Sequence, residues 1–301
     1  MNIFCIVQVR NEERFLPGFL HHIAPYVNGI VALDDCSTDA TLDILHAEPK
    51  VASILREREP APPHSHETKN RHRLIVEAAR QGADWIVCAD ADERYETRFL
   101  RRLDAVARIN ERRGRHVLFV RILHLWDGPD QYRVDGRCAP RWTARMFRVP
   151  TMITRRKAAM HRPWFPPELD DAPRARLPAI LYHLRMIRRE DRETRHAKFT
   201  TIDPDNLHQP IGYGHLVDER GLTLKKVLPF RGYVDLPAQD GASYRSPPSP
   251  PGSWSADGDF AHRFHVDADR YPPRATDPAH RPAIHGFDFD AVFSALRARR
   301  G

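Results

Sequence analysis

Four times in the first ninety residues an apolar run ends in a polar cluster and an amphipathic segment follows, and this alternation constrains the fold more than any other feature. Residues 3–9 (IFCIVQV) are almost continuously apolar, the mark of a strand covered on both faces. From Glu13 a helical pattern follows, with Phe15, Leu16, Phe19, Leu20 and Ile23 three and four residues apart, ending near Pro25. Residues 29–33 (GIVAL) read as a second strand, and Ser37, Thr38 and Asp39 offer an N-cap for a helix carrying Leu42 and Leu45. A third strand is expected at 51–55, a helix at 69–81 closed by Gly82, and a fourth strand at 85–89 (WIVCA). Such alternation predicts an α/β fold built on a mostly parallel sheet with helices on both faces.

Beyond residue 96 the pattern loosens. A charged helix is expected at 97–113, strands at 117–125, 142–149 and 179–184, a Asp- and Gly-rich loop at 126–140, and a basic helix at 189–200. From 235 the composition shifts to Pro, Gly, Ser, Asp and His, which reads as an irregular extension closed by a short helix at 290–299. The expected division is therefore 1–125, 126–234 and 235–301. Only six of the 47 Lys and Arg residues are Lys, and the formal net charge is +7. Arg forks onto carboxylate or phosphate, so this balance suits a phosphorylated ligand as well as a solvated surface. The four cysteines (Cys5, Cys36, Cys88, Cys138) show no metal spacing and are too sparse for a disulfide scaffold. No stretch reaches the ~20 apolar residues of a membrane span. The first residues lack the basic flank of a signal peptide, so the expected location is the cytoplasm.

Common signatures are missing: G-x-G-x-x-G after the first strand, the P-loop, G-x-S-x-G and H-E-x-x-H. The chemistry is therefore expected from other residues at the carboxyl ends of the strands, where open α/β sheets place ligands. There the first strand ends in Arg10-Asn11-Glu12, the second in Asp34-Asp35 and the fourth in Asp90-Ala91-Asp92-Glu93. Carboxylates gathered at one edge repel one another unless a cation or basic groups sit between them, and hard oxygen donors suit Mn2+ or Mg2+. Five D-x-D triplets occur, but only Asp90/Asp92 directly follows an apolar strand in the α/β half.

The segments V-Q-V-R-N-E-E-R-F-L (7–16), A-L-D-D-C-S-T-D-A-T (32–41) and D-W-I-V-C-A-D-A-D-E (84–93) together resemble the family 2 glycosyltransferases, in particular the soluble subgroup whose fourth strand ends in D-A-D-E. The likeness is good over about 1–125 and looser through R-W-T-A-R-M-F-R (141–148) and L-Y-H-L-R-M (181–186). It implies a GT-A fold, with a nucleotide-sugar-binding half at 1–125 joined to an acceptor-binding half at 126–234. It also implies a hexosyltransferase-like enzyme that transfers a sugar, with inversion, from a nucleotide diphosphate, usually UDP, using Mn2+ or Mg2+. Under this resemblance Arg10, Asn11 and Glu12 lie beside the nucleotide, Asp35 recognises the base, and Arg71 (or Arg73) faces base or phosphate. Asp90 faces ribose or metal, Asp92 ligates the metal, and His183 stands near the metal or diphosphate. The acceptor, whether glycan, lipid-linked, peptide or small molecule, is not legible.

An inverting transfer needs a carboxylate base for the acceptor hydroxyl. Related sequences often carry His-Glu near position 161, whereas this chain reads His161-Arg162, which leaves Glu168, Asp170 and Asp171 as the candidates. Asp127, Asp130, Asp135 and Glu190 stand behind them. Two other function classes compete. A nucleotidyltransferase would carry a Gly-rich basic loop after the first strand, where this chain has R-N-E-E. A basic nucleic-acid-binding protein would show a recognised binding motif and clustered charge, and neither is present, so no nucleic-acid partner is expected.

Overall fold

Short apolar runs become strands and the amphipathic stretches between them become helices in the computed structural model, which describes residues 1–59, 63–157, 162–234 and 284–286. The strands are β1 (Ile3–Val9), β2 (Gly29–Asp34), β3 (Val51–Arg56), β4 (Trp85–Cys88), β5 (Glu93–Tyr95), β6 (Val117–His124), β7 (Gln131–Arg133), β8 (Arg141–Arg148), β9 (Arg174–His183), β10 (Leu224–Lys226) and β11 (Ile284–Gly286). The helices are α1 (Leu16–Ile23), α2 (Thr41–Ala47), α3 (Pro63–Arg80), α4 (Thr97–Leu100), α5 (Leu103–Arg112) and α6 (Arg189–Ile202).

One large sheet runs in the order β11-β9-β6-β8-β4-β1-β2-β3, with β5 added to β9, while β7 and β10 pair separately. Strands β1 to β4 are mutually parallel, and β8 runs antiparallel between β4 and β6. Because β9 is parallel to β6, the carboxyl ends of β1, β2, β4, β6 and β9 all lie along one edge. Strand β1 is flanked by β2 on one side and β4 on the other, so the chain leaves β1 in one direction and later returns to its opposite side. That reversal is the topological switch point, where an open α/β sheet opens a crevice.

Residue alternation along β1 builds two cores. Ile3, Cys5, Val7 and Val9 pack with Phe15, Leu16 and Phe19 around α1 and with Val106 and Ala107 of α5. Phe4 and Ile6 face the other way, with Leu74, Ile75 and Ala78 of α3 and with Trp164 and Phe165. Such two-sided burial is what a parallel sheet requires. Gly29 is needed here, because a Cβ would meet the Phe4 ring at 2.5 Å. Gly82 closes α3 with φ +84, the left-handed stop expected there.

The structure departs from the sequence pattern at several boundaries. Helix α3 begins at Pro63, six residues before the expected start, because its polar first turns carry no apolar periodicity. The charged helix is two pieces, α4 and α5. Residues after Asp92 continue into the unanticipated strand β5, which pairs with β9. Strand β9 starts at Arg174, five residues early, since its first half alternates Arg with apolar residues. The expected 235–301 extension and its terminal helix lie outside the described residues apart from β11, as does His161. Among the described residues no helix is long and apolar enough to cross a membrane.

Candidate active site

The loops after β1 and β2 are laced together before any ligand is considered. Asn11 takes a left-handed φ of 54, and its Oδ1 accepts the Thr38 backbone N–H at 2.8 Å. The Asn11 and Glu12 amides donate to Ser37 Oγ at 2.9 Å and Thr41 Oγ1 at 2.8 Å. These bonds join residues 26 to 29 apart, so they tie the loop after β1 to the loop after β2 rather than hold a single turn. Asp35 continues from β2, and its buried Oδ1 has no hydrogen-bond partner among the described residues. Arg10 is exposed at the same edge.

The D-A-D-E turn after β4 is held from beneath. Arg94 is buried and donates to Ala91 O at 2.7 Å, Glu93 O at 2.9 Å and Phe15 O at 2.8 Å, tying the turn to the start of α1. Tyr95 donates its hydroxyl proton to Cys88 O at 2.7 Å. Glu93, 1% exposed, accepts the Asp90 amide at 2.9 Å and the Arg145 guanidinium at 2.6 Å. Burial works against the Arg145 cation, but Glu93 and Asp90 outweigh it and hold its pKa above the ordinary value. Asp90 therefore stays in the open, its side chain 47% exposed and 3.5 Å from Arg145.

Asp92, 4% exposed, meets the end of β9. Its backbone O accepts the Leu184 amide at 2.8 Å, which sets His183 on one side and Arg185 on the other. Arg185 Nε donates to Asp92 Oδ2 at 2.6 Å, and Arg185 Nη2 reaches both carboxylate oxygens of Glu12. His183 Nε2 lies 3.4 Å from Asp92 Oδ2. Burial opposes the Asp92 charge, yet His183 and Arg185 overcome it and hold the carboxyl well below the usual range. Glu12 shares the same guanidinium and fares worse. Burial, with the charges of Asp92 and Asp90 added, pushes it up to about 7 despite Arg185. Behind this pair His183 Nδ1 and His124 Nδ1 are 3.1 Å apart, so one donates and the other accepts. Burial pushes both rings below their ordinary pKa, His183 against the opposing pull of Asp92.

Sequence reasoning missed Arg185, His124, Arg195 and Lys198. Arg185 carried no periodic signal, because it lies in the turn after β9 rather than on the strand. Arg195 and Lys198 stand three apart on α6, one helical face. Desolvation and the charges of Arg195, Arg185 and Arg10 lower the Lys198 ammonium, which marks these four as one electrostatic cluster.

The other expected residues stand outside the Asp92–Arg185 cluster. Arg71 pairs with Glu67 at 2.6 Å, donates to Arg162 O and lies 4.4 Å over the Trp164 ring. Arg73 is paired with Glu57. Glu168, Asp170 and Asp171 come just before β9, at the amino edge of the sheet. Ten residues of strand separate that edge from His183, about 30 Å. There Glu168 Oε1 accepts the Thr154 amide at 3.0 Å, Asp170 pairs with Arg156, and Asp171 is exposed. The expectation that this segment returns toward the carboxyl edge is thus corrected: β9 is parallel to β6, and only its far end reaches Asp92.

The donors present suit a divalent cation. Asp92 Oδ1 is buried without a hydrogen-bond partner among the described residues, and His183 Nε2 stands beside the same carboxylate. Among the described residues no group of three or more His, Cys, Asp or Glu converges on one point. Mg2+ and related ions at phosphate sites commonly take one or two protein ligands, with phosphates and water filling the rest.

The fold and site define an α/β protein with a carboxylate–arginine cluster at its switch point. No family model matches the chain. It is 32% identical over 100 residues to two uncharacterised proteins, Mb3815c of Mycobacterium bovis and Rv3786c of Mycobacterium tuberculosis. Those residues are 32% of this chain and span a quarter of the length of these curated relatives. Among solved structures, S. aureus TarS 1–349 aligns at 16% identity over 73% of this chain and 70% of that one, with a TM-score of 0.36. Its complex with UDP aligns at 24% identity over 42% and 36%, with a TM-score of 0.31. Glucosyl-3-phosphoglycerate synthase of M. tuberculosis, in complex with Mn2+ and UDP-glucose, aligns at 19% over 40% and 43%, with a TM-score of 0.32.

Proposed function

We propose that this chain is a family 2 glycosyltransferase of GT-A fold, transferring a sugar with inversion from a nucleoside diphosphate, UDP foremost, to a hydroxyl-bearing acceptor. The observation that carries the reading is convergence. Glu12 after β1, Asp90 and Asp92 after β4, and His183 and Arg185 at the end of β9 meet at the edge where β1 and β4 part. The D-A-D-E motif and the preceding strand patterns support it independently.

In this reading residues 1–125 bind the nucleotide and 126–234 the acceptor. Asp35 takes the base, Arg10, Asn11 and Arg71 line the nucleotide side, and the exposed Asp90 faces the ribose. Asp92 and His183 would hold Mn2+ or Mg2+. When bound, that ion supplies a Lewis acid for the charge developing on the departing diphosphate. Arg185, Arg195 and Lys198 add positive charge at the same place, which stabilises an anionic leaving group. The acceptor's proton requires a carboxylate at this edge. Asp127, just beyond β6, has a side chain 45% exposed and is oriented by Arg192 at 3.0 Å, which makes it the first to test.

Calorimetry of UDP with Mn2+ and with excess chelator tests the nucleotide and the metal together. Tighter binding with Mn2+ is expected, and equal affinity removes the metal from the mechanism. Replacing Asp92→Asn is expected to cut turnover with the accepted nucleotide sugar by roughly 100–1000-fold, the loss of one transition-state contact. Near-full turnover in that variant would place the chemistry elsewhere.

A further inference from the structure

The centre of the site is one guanidinium forked across two carboxylates. Arg185 Nε holds Asp92 Oδ2 at 2.6 Å, and its Nη2 holds Glu12. A cation placed between two acidic groups relieves their repulsion, and this is also what a divalent ion would do here. Yet one carboxylate oxygen is left over: Asp92 is only 4% exposed, and its buried Oδ1 has no hydrogen-bond partner among the described residues. A buried, unpaired carboxylate oxygen is costly unless something occupies it.

We propose that Arg185 is an internal counter-cation that holds Asp92 and Glu12 together in the free protein and competes with the divalent cation for Asp92, so that cation and nucleoside diphosphate bind as a coupled pair. This rests on the nucleotide-sugar reading above. A dication arriving alone meets Arg185 on the same carboxylate, with Arg195 acting on Asp92 and on Lys198 from α6. That is a repulsive arrangement. A diphosphate arriving with the ion offers Arg185 a second anion to fork onto, which relieves the repulsion between the guanidinium and the metal at Asp92. The Phe15 ring lies under the Arg185 guanidinium at 4.8 Å from its centroid, a flat apolar face against which the side chain is held at one depth.

The test is titration of Mn2+ alone, UDP alone, and each in the presence of the other, on the full chain and on Arg185→Gln. For the unaltered chain, Mn2+ alone is expected to bind weakly, with UDP and Mn2+ each tightening the other by the same factor, as linkage demands. In Arg185→Gln, Mn2+ alone should bind about tenfold tighter or more, and the coupling factor should fall correspondingly. Mn2+ affinity in Arg185→Gln no higher than in the unaltered chain overturns the proposal. Should that variant fail to fold, Arg185→Lys keeps one charge but cannot fork, and it is expected to show a smaller gain in Mn2+ affinity; no gain there overturns the proposal equally. Absence of UDP binding at every Mn2+ concentration would sink the nucleotide reading instead, while the comparison with Mn2+ alone would still decide the competition.

Discussion

Glu12 and Asp92 show how two carboxylates sharing one cation divide its benefit. Asp92 also has His183 beside it and stays ionised, whereas Glu12 is pushed up to about 7. Because that value lies above the ordinary 4.5, the native protein holds more protons than the unfolded chain between the two. The contribution of Glu12 to stability therefore falls as pH rises from about 4.5 through about 7 and is level beyond it. Glu12→Gln is expected to flatten this dependence, so that chemical denaturation at pH 8 and pH 5 differs less than in the unaltered chain. An unchanged pH profile would mean that Glu12 is already ionised at pH 5. At the same scale Asp35→Ala should weaken nucleotide binding with little change in fold, since among the described residues the Asp35 carboxylate has one unpartnered buried oxygen and a long contact from Gln8 at 3.5 Å. Nucleotide affinity equal to that of the unaltered chain would take Asp35 out of the base site.

Among the elements, the short turn between β4 and β5 carries most of the site and owes its shape to Arg94. Three backbone carbonyls converge on that guanidinium from the turn itself and from the start of α1. Arg94→Met keeps much of the apolar stem but orphans these carbonyls. It is expected to cost about 3 kcal/mol, in line with losing several charge-assisted bonds in a buried place. Denaturant titration measures that loss, and a change below about 0.5 kcal/mol, the size of an ordinary surface substitution, would show that the turn holds without the latch. The apolar strands of this half were legible because two-sided burial writes an unmistakable run, as in residues 3–9 and 85–88. The turn's support was not, because Arg94 looks like a surface charge until β5 pairs with β9 and buries it.

At the level of the whole molecule, the crossing from β3 back to β4 creates the switch point, and β9 then delivers a second set of ligands to it. A smaller core of Trp126, Cys138, Met186, Tyr213 and Leu216 steadies the region around α6, with Trp126 lying between Arg192 at 4.1 Å and Arg133 at 4.6 Å. Occupation of a site built from such distant segments should stabilise the whole fold. UDP with Mn2+ at ~100 times its dissociation constant is expected to add about 2.7 kcal/mol, read as a rise of roughly 5–10 °C in Tm. No rise under those conditions would count against a nucleotide site here. The sequence by itself determined the layers of the α/β half and the acidic ends of its strands, because burial on two faces and exposure at one edge act through local patterns. Which of those acids meet, and which cation stands between them, only the tertiary structure decided. Arg185 lies 93 residues from Asp92 and 173 from Glu12, and Glu168, Asp170 and Asp171 are carried to the opposite edge by the direction of β9. Strand direction and register are set by long-range pairing, which leaves no mark in the spacing of neighbouring residues.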